Sequence, residues 1–333
     1  GDTGIIENTS CSASVQASGN VAGGMAGQSD SIEFVDSVFN GGVSGDSYVG
    51  GFAGIMQDGI ILNSYSEGDV SGNNGFIGGL AGDLAQASIE HSYASGDVRG
   101  GSGDVGGLVG RMYLSSETAR SFSTGAVTGS NPVGGLVGRQ FDSSSVLNPG
   151  YYYNFGGNPG SCVGTIGGGA LSNCTGENLL SYFEDPDNVP MDVWDFRGTW
   201  GTDPSDNLPC LLWEPECVWV PCPIMTGAGT HGDPHPIYKC CQLENISAAM
   251  NHHYVLARDL DCRKTRSWWG GRGFLPVGAD SDGEWRNRFR GSLDGAGHTV
   301  RNIYISRDLQ SLGLFTMNFG EIFDLNLVDI DFN

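Results

Sequence analysis

The stretch Val105-Gly106-Gly107-Leu108-Val109-Gly110, VGGLVG, has the glycine spacing of a phosphate-cradling loop, and the same six letters return at Val133–Gly138. A dinucleotide fingerprint needs one strand, then the glycines, then a helix N-terminus, with an acid about 20 residues on. Nothing of that kind surrounds these glycines. Their surroundings are copies of themselves: VAGGMAG ends at Gly27, VGGFAG at Gly54 and IGGLAG at Gly82, so with Gly110 and Gly138 the steps are 27, 28, 28 and 28 residues. A second signature keeps the beat, in TSCSASV, DSVFNGGVSG, NSYSEGDVSG, HSYASGDVRG and RSFSTGAVTG. Five copies in register define a unit of about 28 residues. Fixed periods of this length mark stacked repeats, which must be recognised before any other assignment.

Within each unit the texture is two-residue alternation interrupted by Gly, Ser, Asn and Asp, the pattern of short strands between turns. Helical repeats need 3.6-residue periodicity and helix formers, which SEGDVSGNNGFIGGLAG lacks. The expected fold is all-β: a parallel β-solenoid in which each unit makes one coil, laid about 4.8 Å above the last. Equivalent side chains then stack in columns. One expected internal column is Cys11, Val38, Tyr65, Tyr93 and Phe122, with Cys11 a small buried hydrophobe; a second is Met25, Phe52, Leu80, Leu108 and Leu136.

Composition bounds function. The 333 residues include 55 glycines and carry a formal charge of −22. That charge disfavours nucleic acid, whose phosphates need Lys and Arg, and equally an anionic membrane. No run of 18 apolar residues suits a membrane-spanning helix. The first residue is Gly and no secretory leader is recognisable, so the expectation is a mature, trimmed or excised chain. Only two lysines stand against fourteen arginines. Eight of nine cysteines (Cys162, Cys174, Cys210, Cys217, Cys222, Cys240, Cys241 and Cys262) fall outside the regular repeats, which suits local disulfides in an oxidising compartment. Proximity suggests Cys162 with Cys174, a group of Cys210, Cys217 and Cys222, and Cys262 with Cys240 or Cys241.

The repeat S-Y-A-x-G-x-V-x-G followed by V-G-G-L-V-G resembles the GLUG motif of large bacterial surface proteins, including filamentous adhesins and non-catalytic regions of immunoglobulin A peptidases. Residues 176–213, with WDF and a final Trp, resemble the closing segment of such modules. Residues 240–333, with YVLARDLD, FLPVG and GSLDGAGHTV, resemble the opening segment. The resemblance implies a right-handed solenoid and the following division: coils at 1–150, a closing segment at 151–214, a Cys/Pro/Gly-rich joint at 215–236, and at 237–333 the opening of a second module. In the family the opening segment comes first; here it comes last. Either the chain is one register of a tandem array in a giant protein, or a subunit whose last half-module meets copies of itself end to end. Both predict an extracellular fibre, with Ile322, Leu325, Leu327, Ile330 and Phe332 at the assembly end.

Candidate chemistry is sparse. No HExxH motif occurs. His231 and His235 with Cys240 and Cys241 have metal-ligand chemistry but compete with disulfide formation. Asp280, Asp282 and Glu284, or Asp185 and Asp187, are calcium candidates without full loop spacing. Asp69 and Asp97 recur at one repeat position, as turn residues do. N-x-S/T sequons stand at Asn8, Asn173 and Asn245. Residues 1–200 hold 21 acids against five arginines, whereas Arg263, Lys264, Arg266, Arg272, Arg286, Arg288 and Arg290 cluster later. The expected function is a structural or adhesive, non-enzymatic unit, with surface glycans or host ligands as further partners. The rival is a β-helix polysaccharide lyase or hydrolase, which an acid row paired with basic residues along a groove would favour.

Overall fold

The computed structural model describes all residues except 1–3, 131, 143–145, 149, 154–157, 169–173, 185–187, 190, 207, 218–221, 223, 280–287 and 310. The chain divides into two units: residues 1–192 with 203–217, and residues 193–202 with 218–333.

In the first unit each full coil contributes five short strands to five parallel sheets. One coil shows the plan: Ile60–Leu62, Tyr65–Ser66, Val70–Gly72, Phe76–Gly78 and Ala81–Ala85. Each strand pairs in parallel with its counterparts one coil before and after, Ile61 with Phe34 and Ile89, and Ile77 with Val49 and Val105. The repeat length in the sequence is therefore the coil circumference. Two corners in each coil turn through left-handed backbone. Asn8, Asp36, Asn63, His91 and Arg120 occupy the first, with φ between +46° and +51°. Asn and Asp tolerate that region, which accounts for three of the five.

The glycines of the VGG stretches work differently. Gly107 does not have positive φ; a Cβ there would lie 2.2 Å from the carbonyl oxygen of Gly135 and 2.2 Å from Ser123 Oγ. They are needed where neighbouring coils approach too closely for any side chain. Around them the interior is filled by columns such as Phe34, Ile61 and Ile89, and Phe52, Leu80 and Leu108, all fully buried.

Strand pairing continues past residue 150. Gly150–Tyr153 pairs with Ser121–Ser123, Val163–Ile166 with Val137–Gln140, and Cys174–Glu177 with Gly150–Tyr153. The expected closing segment is itself divided, since residues 193–202 group with 218–333.

The second unit is also built of parallel coils. His235–Ile237, His253–Leu256, Ser292–Asp294 and Glu321–Phe323 form one sheet; Leu260–Asp261, Thr299–Arg301 and Asn326–Val328 form another. Its separate core includes Ile237, Leu256, Leu293 and Val300. A helical turn at Cys240–Glu244, continued by a 3-10 turn at Asn245–Ala248, buries Leu243 and Ile246 in that core.

Candidate functional site

The aromatic column differs from the expected one in two respects. Val38, Tyr65, Tyr93 and Phe122 are in register and extend to Tyr151, but Cys11 pairs with Phe39, and Ser10 takes the place opposite Val38. Cys11 therefore belongs to the adjacent column of Phe39, Ser66, Ala94, Ser123 and Tyr152, which points into the solenoid. The aromatic column itself points outward. Its rings stack at 4.8 Å for Tyr65 and Tyr93, and at 4.7 Å for the next two pairs. A strap from the same unit covers them. Phe183 stacks on Tyr151 at 3.8 Å, and the Trp213 ring lies 5.5 Å from Tyr65 while its Nε1 donates to the Asn63 carbonyl. Tyr93 donates its hydroxyl proton to Glu214 at 2.8 Å. Burial, helped by Glu214, raises the pKa of both tyrosines. Burial likewise pushes the Glu214 carboxyl up to about 7, against the hydrogen bonds it accepts from Leu211 N–H and Tyr93.

The second column, Met25, Phe52, Leu80, Leu108 and Leu136, lies in the solenoid core, with Met25 at its partly buried end. Each of its N–H groups donates to the carbonyl of the next member. The serines before the aromatic positions form a ladder of their own. The N–H groups of Ser37, Ser64 and Ser92 each donate to the hydroxyl one coil on, at 3.1 Å. Those hydroxyls in turn donate to carbonyls two residues back, as Ser64 does to Leu62. Asp69 and Asp97 serve a similar end, accepting from the N–H of Asp97 and of Ala126. A repeated acid here closes a turn to its neighbour.

One exterior groove collects different chemistry. Asp83, Arg111 and Arg139 follow one another in one column, and Tyr48, Phe76 and Asp104 in the column beside it. Arg111 grips buried Asp83 with two hydrogen bonds of 2.8 and 2.7 Å, and Arg139 grips buried Asp104 with two of 2.6 and 3.0 Å. The Arg111 guanidinium also sits 3.9 Å from the Phe76 ring centre and 4.5 Å from that of Tyr113. Burial works against its charge, yet the bonds and charge of Asp83 outweigh that and raise its pKa. Repeat alignment held the signal, because AGDLA, VGRMY and VGRQF place Asp, Arg and Arg at one position.

All eight cysteines named above are paired: Cys162–Cys174, Cys210–Cys217, Cys222–Cys241 and Cys240–Cys262. Cys240 and Cys241 thus have no thiolate to offer a metal. His235 instead meets His252, Nε2 to Nδ1 at 2.9 Å, while His231 lies beside His253. No group of three or more His, Cys, Asp or Glu is arranged for a metal ion among the described residues. Asp185, Asp187, Asp280, Asp282 and Glu284 lie outside the described residues, as do Asn173 and Arg286.

At the far end of the second unit, Ile322, Leu327 and Phe332 pair with Leu293, Val300 and Ile305. The three partners are fully buried, whereas Ile322, Leu327 and Phe332 are 38%, 45% and 48% exposed. Leu325 and Ile330 pack against the core more closely.

Comparison with known proteins adds to these observations. The model of the GLUG motif matches residues 45–71, one coil of the first unit. The chain carries the GLUG motif. Halomucin from Haloquadratum walsbyi is 33% identical over 161 residues, 45% of this chain. The chain spans about 2% of that curated relative. A solved structure described as a candidate immunoglobulin A1 protease from Bacteroides ovatus is 19% identical, with a TM-score of 0.37, over 64% of this chain and 76% of its own. The GLUG coils are thus established by motif and register together.

Proposed function

We propose that the chain is a non-catalytic rod segment of an extracellular repeat protein, extended by solenoid coils laid end to end. The observation that carries this reading is the parallel register of the coils, in which strand after strand pairs with its counterpart one coil away, so that the stack gains length by repeating one unit. Four disulfides support an oxidising, extracellular setting, and the likeness to halomucin supports a very long repeat protein. An adhesive role follows if the rod's flank carries ligands. Negative-stain electron microscopy of material from the native source should show rods with solenoid width; isolated globular particles would refute the reading.

A second reading, a carbohydrate-active β-helix enzyme, is favoured by the Asp83–Arg111 and Asp104–Arg139 pairs along one groove. Against it, both oxygens of each carboxylate are already engaged by guanidinium groups. Release of reducing ends or unsaturated products from polysaccharides would establish it.

A further inference from the structure

The geometry points to the groove around Arg111 and Arg139 as a binding site for a neutral saccharide chain. Its cleft encloses about 330 Å³ and is lined by Phe76, Asp104, Arg111, Arg139 and Phe141 together with Gly75 and Gly103. That volume suits one or two sugar rings, near the lower end of ordinary ligand pockets.

Three features define the ligand. The first is an exposed aromatic ring with others beside it: Phe141 is 55% exposed, half-buried Tyr113 lies edge-on to it at 6.5 Å, and half-buried Tyr48 and Phe76 meet at 5.4 Å. Such rings offer flat apolar platforms to the C–H face of a pyranose. The second is a set of polar groups held in place before any ligand arrives. Arg111 is fixed between two rings and clamped to Asp83, and Arg139 is clamped to Asp104, so their outer N–H groups present donors at fixed positions. Pre-fixed groups lose little entropy on binding. Planar, rigid donors beside aromatic faces match a ring of hydroxyls.

The third feature is charge. Each guanidinium is neutralised by its own carboxylate, and the whole chain carries −22. An anionic uronate or sulfated glycan would meet neutral pairs locally and repulsion at longer range. A neutral saccharide meets neither penalty. Because the groove is made from two neighbouring repeat positions on successive coils, about 4.8 Å apart, its ligand runs across the coils as an extended chain.

The experiment is calorimetric titration of the full chain with neutral hexaoses of glucose, mannose, galactose and N-acetylglucosamine, and with hexagalacturonate, in 0.15 M salt. The expected result is binding of at least one neutral hexaose and weaker or no binding of the uronate. Phe141→Ala, at an exposed position that leaves folding intact, lowers affinity at least tenfold. Phe319→Ala, an exposed aromatic of the second unit, leaves it unchanged. Preference for the uronate, indifference to Phe141→Ala, or no binding of any neutral hexaose at 10 mM overturns the assignment. Because the readout is binding to the coil flank, it is independent of whether rods are seen by microscopy.

Discussion

Gly107 shows how a residue with no side chain fixes the geometry of the whole repeat. Its hypothetical Cβ would sit inside contact distance of both a backbone oxygen and Ser123 on the neighbouring coil, and Gly51 and Gly79 face backbone oxygens at the same 2.2 Å. Backbone cannot yield as a flexible side chain can. Gly107→Val should therefore cost about 3 kcal/mol or more, at the upper end of overpacking effects. The check is the urea midpoint followed by far-UV circular dichroism, with unchanged stability as the result that would refute it. At the same scale lies the misplacement of Cys11. Two-residue strands such as Tyr65–Ser66 are buried on both faces, inside by the core and outside by the strap, so polarity does not alternate along them. Without that alternation a slip of one residue leaves no trace in the pattern. The column of Phe52 and Leu80 was legible because glycines flank it on both sides and fix its register.

The strap over the aromatic column illustrates what an element adds that repeats alone do not announce. Nothing near Tyr65 or Tyr93 in the sequence indicates that Trp213 and Glu214, more than 100 residues later, will cover them. The strand periods, coil length and interior columns could be read locally, because each coil repeats the same contacts; the covering strap occurs once. Its pH response follows from Glu214, whose carboxyl is raised by burial from 4.5 to about 7. A raised carboxyl binds its proton more tightly when folded, so its contribution is complete below about pH 4.5 and is lost as pH rises through about 7. The strap should therefore loosen over that window, by on the order of 1–2 kcal/mol after allowance for partial solvent screening. Trp213 fluorescence and hydrogen exchange at Leu211 N–H, which donates to Glu214, report it directly. Glu214→Gln should flatten the pH dependence between 4.5 and 7, and a variant with the same slope as the parent would assign the response to another group.

Across the whole molecule, coils stacked about 4.8 Å apart bring the exposed acids of successive turns near one another. The chain has only 16 Lys and Arg to set against 38 Asp and Glu. Some acids are relieved within the stack, as Arg99 lies beside both Asp69 and Asp97, and Arg120 beside Glu90. Asp30, Asp58 and Glu67 are exposed and form no ion pair among the described residues. Self-repulsion of this size opposes the compact state. Salt shortens its reach from about 10 Å at 0.1 M to about 3 Å at 1 M. Raising sodium chloride across that range should therefore lift the melting temperature by several degrees, through electrostatic relief added to general salting-out. The two causes separate on charge removal. In the triple variant Asp30→Asn, Asp58→Asn, Glu67→Gln, the melting temperature at low salt should rise and its dependence on salt should become shallower, since fewer charges remain to screen. An unchanged salt slope in that variant would show that these acids do not limit the stability of the coils.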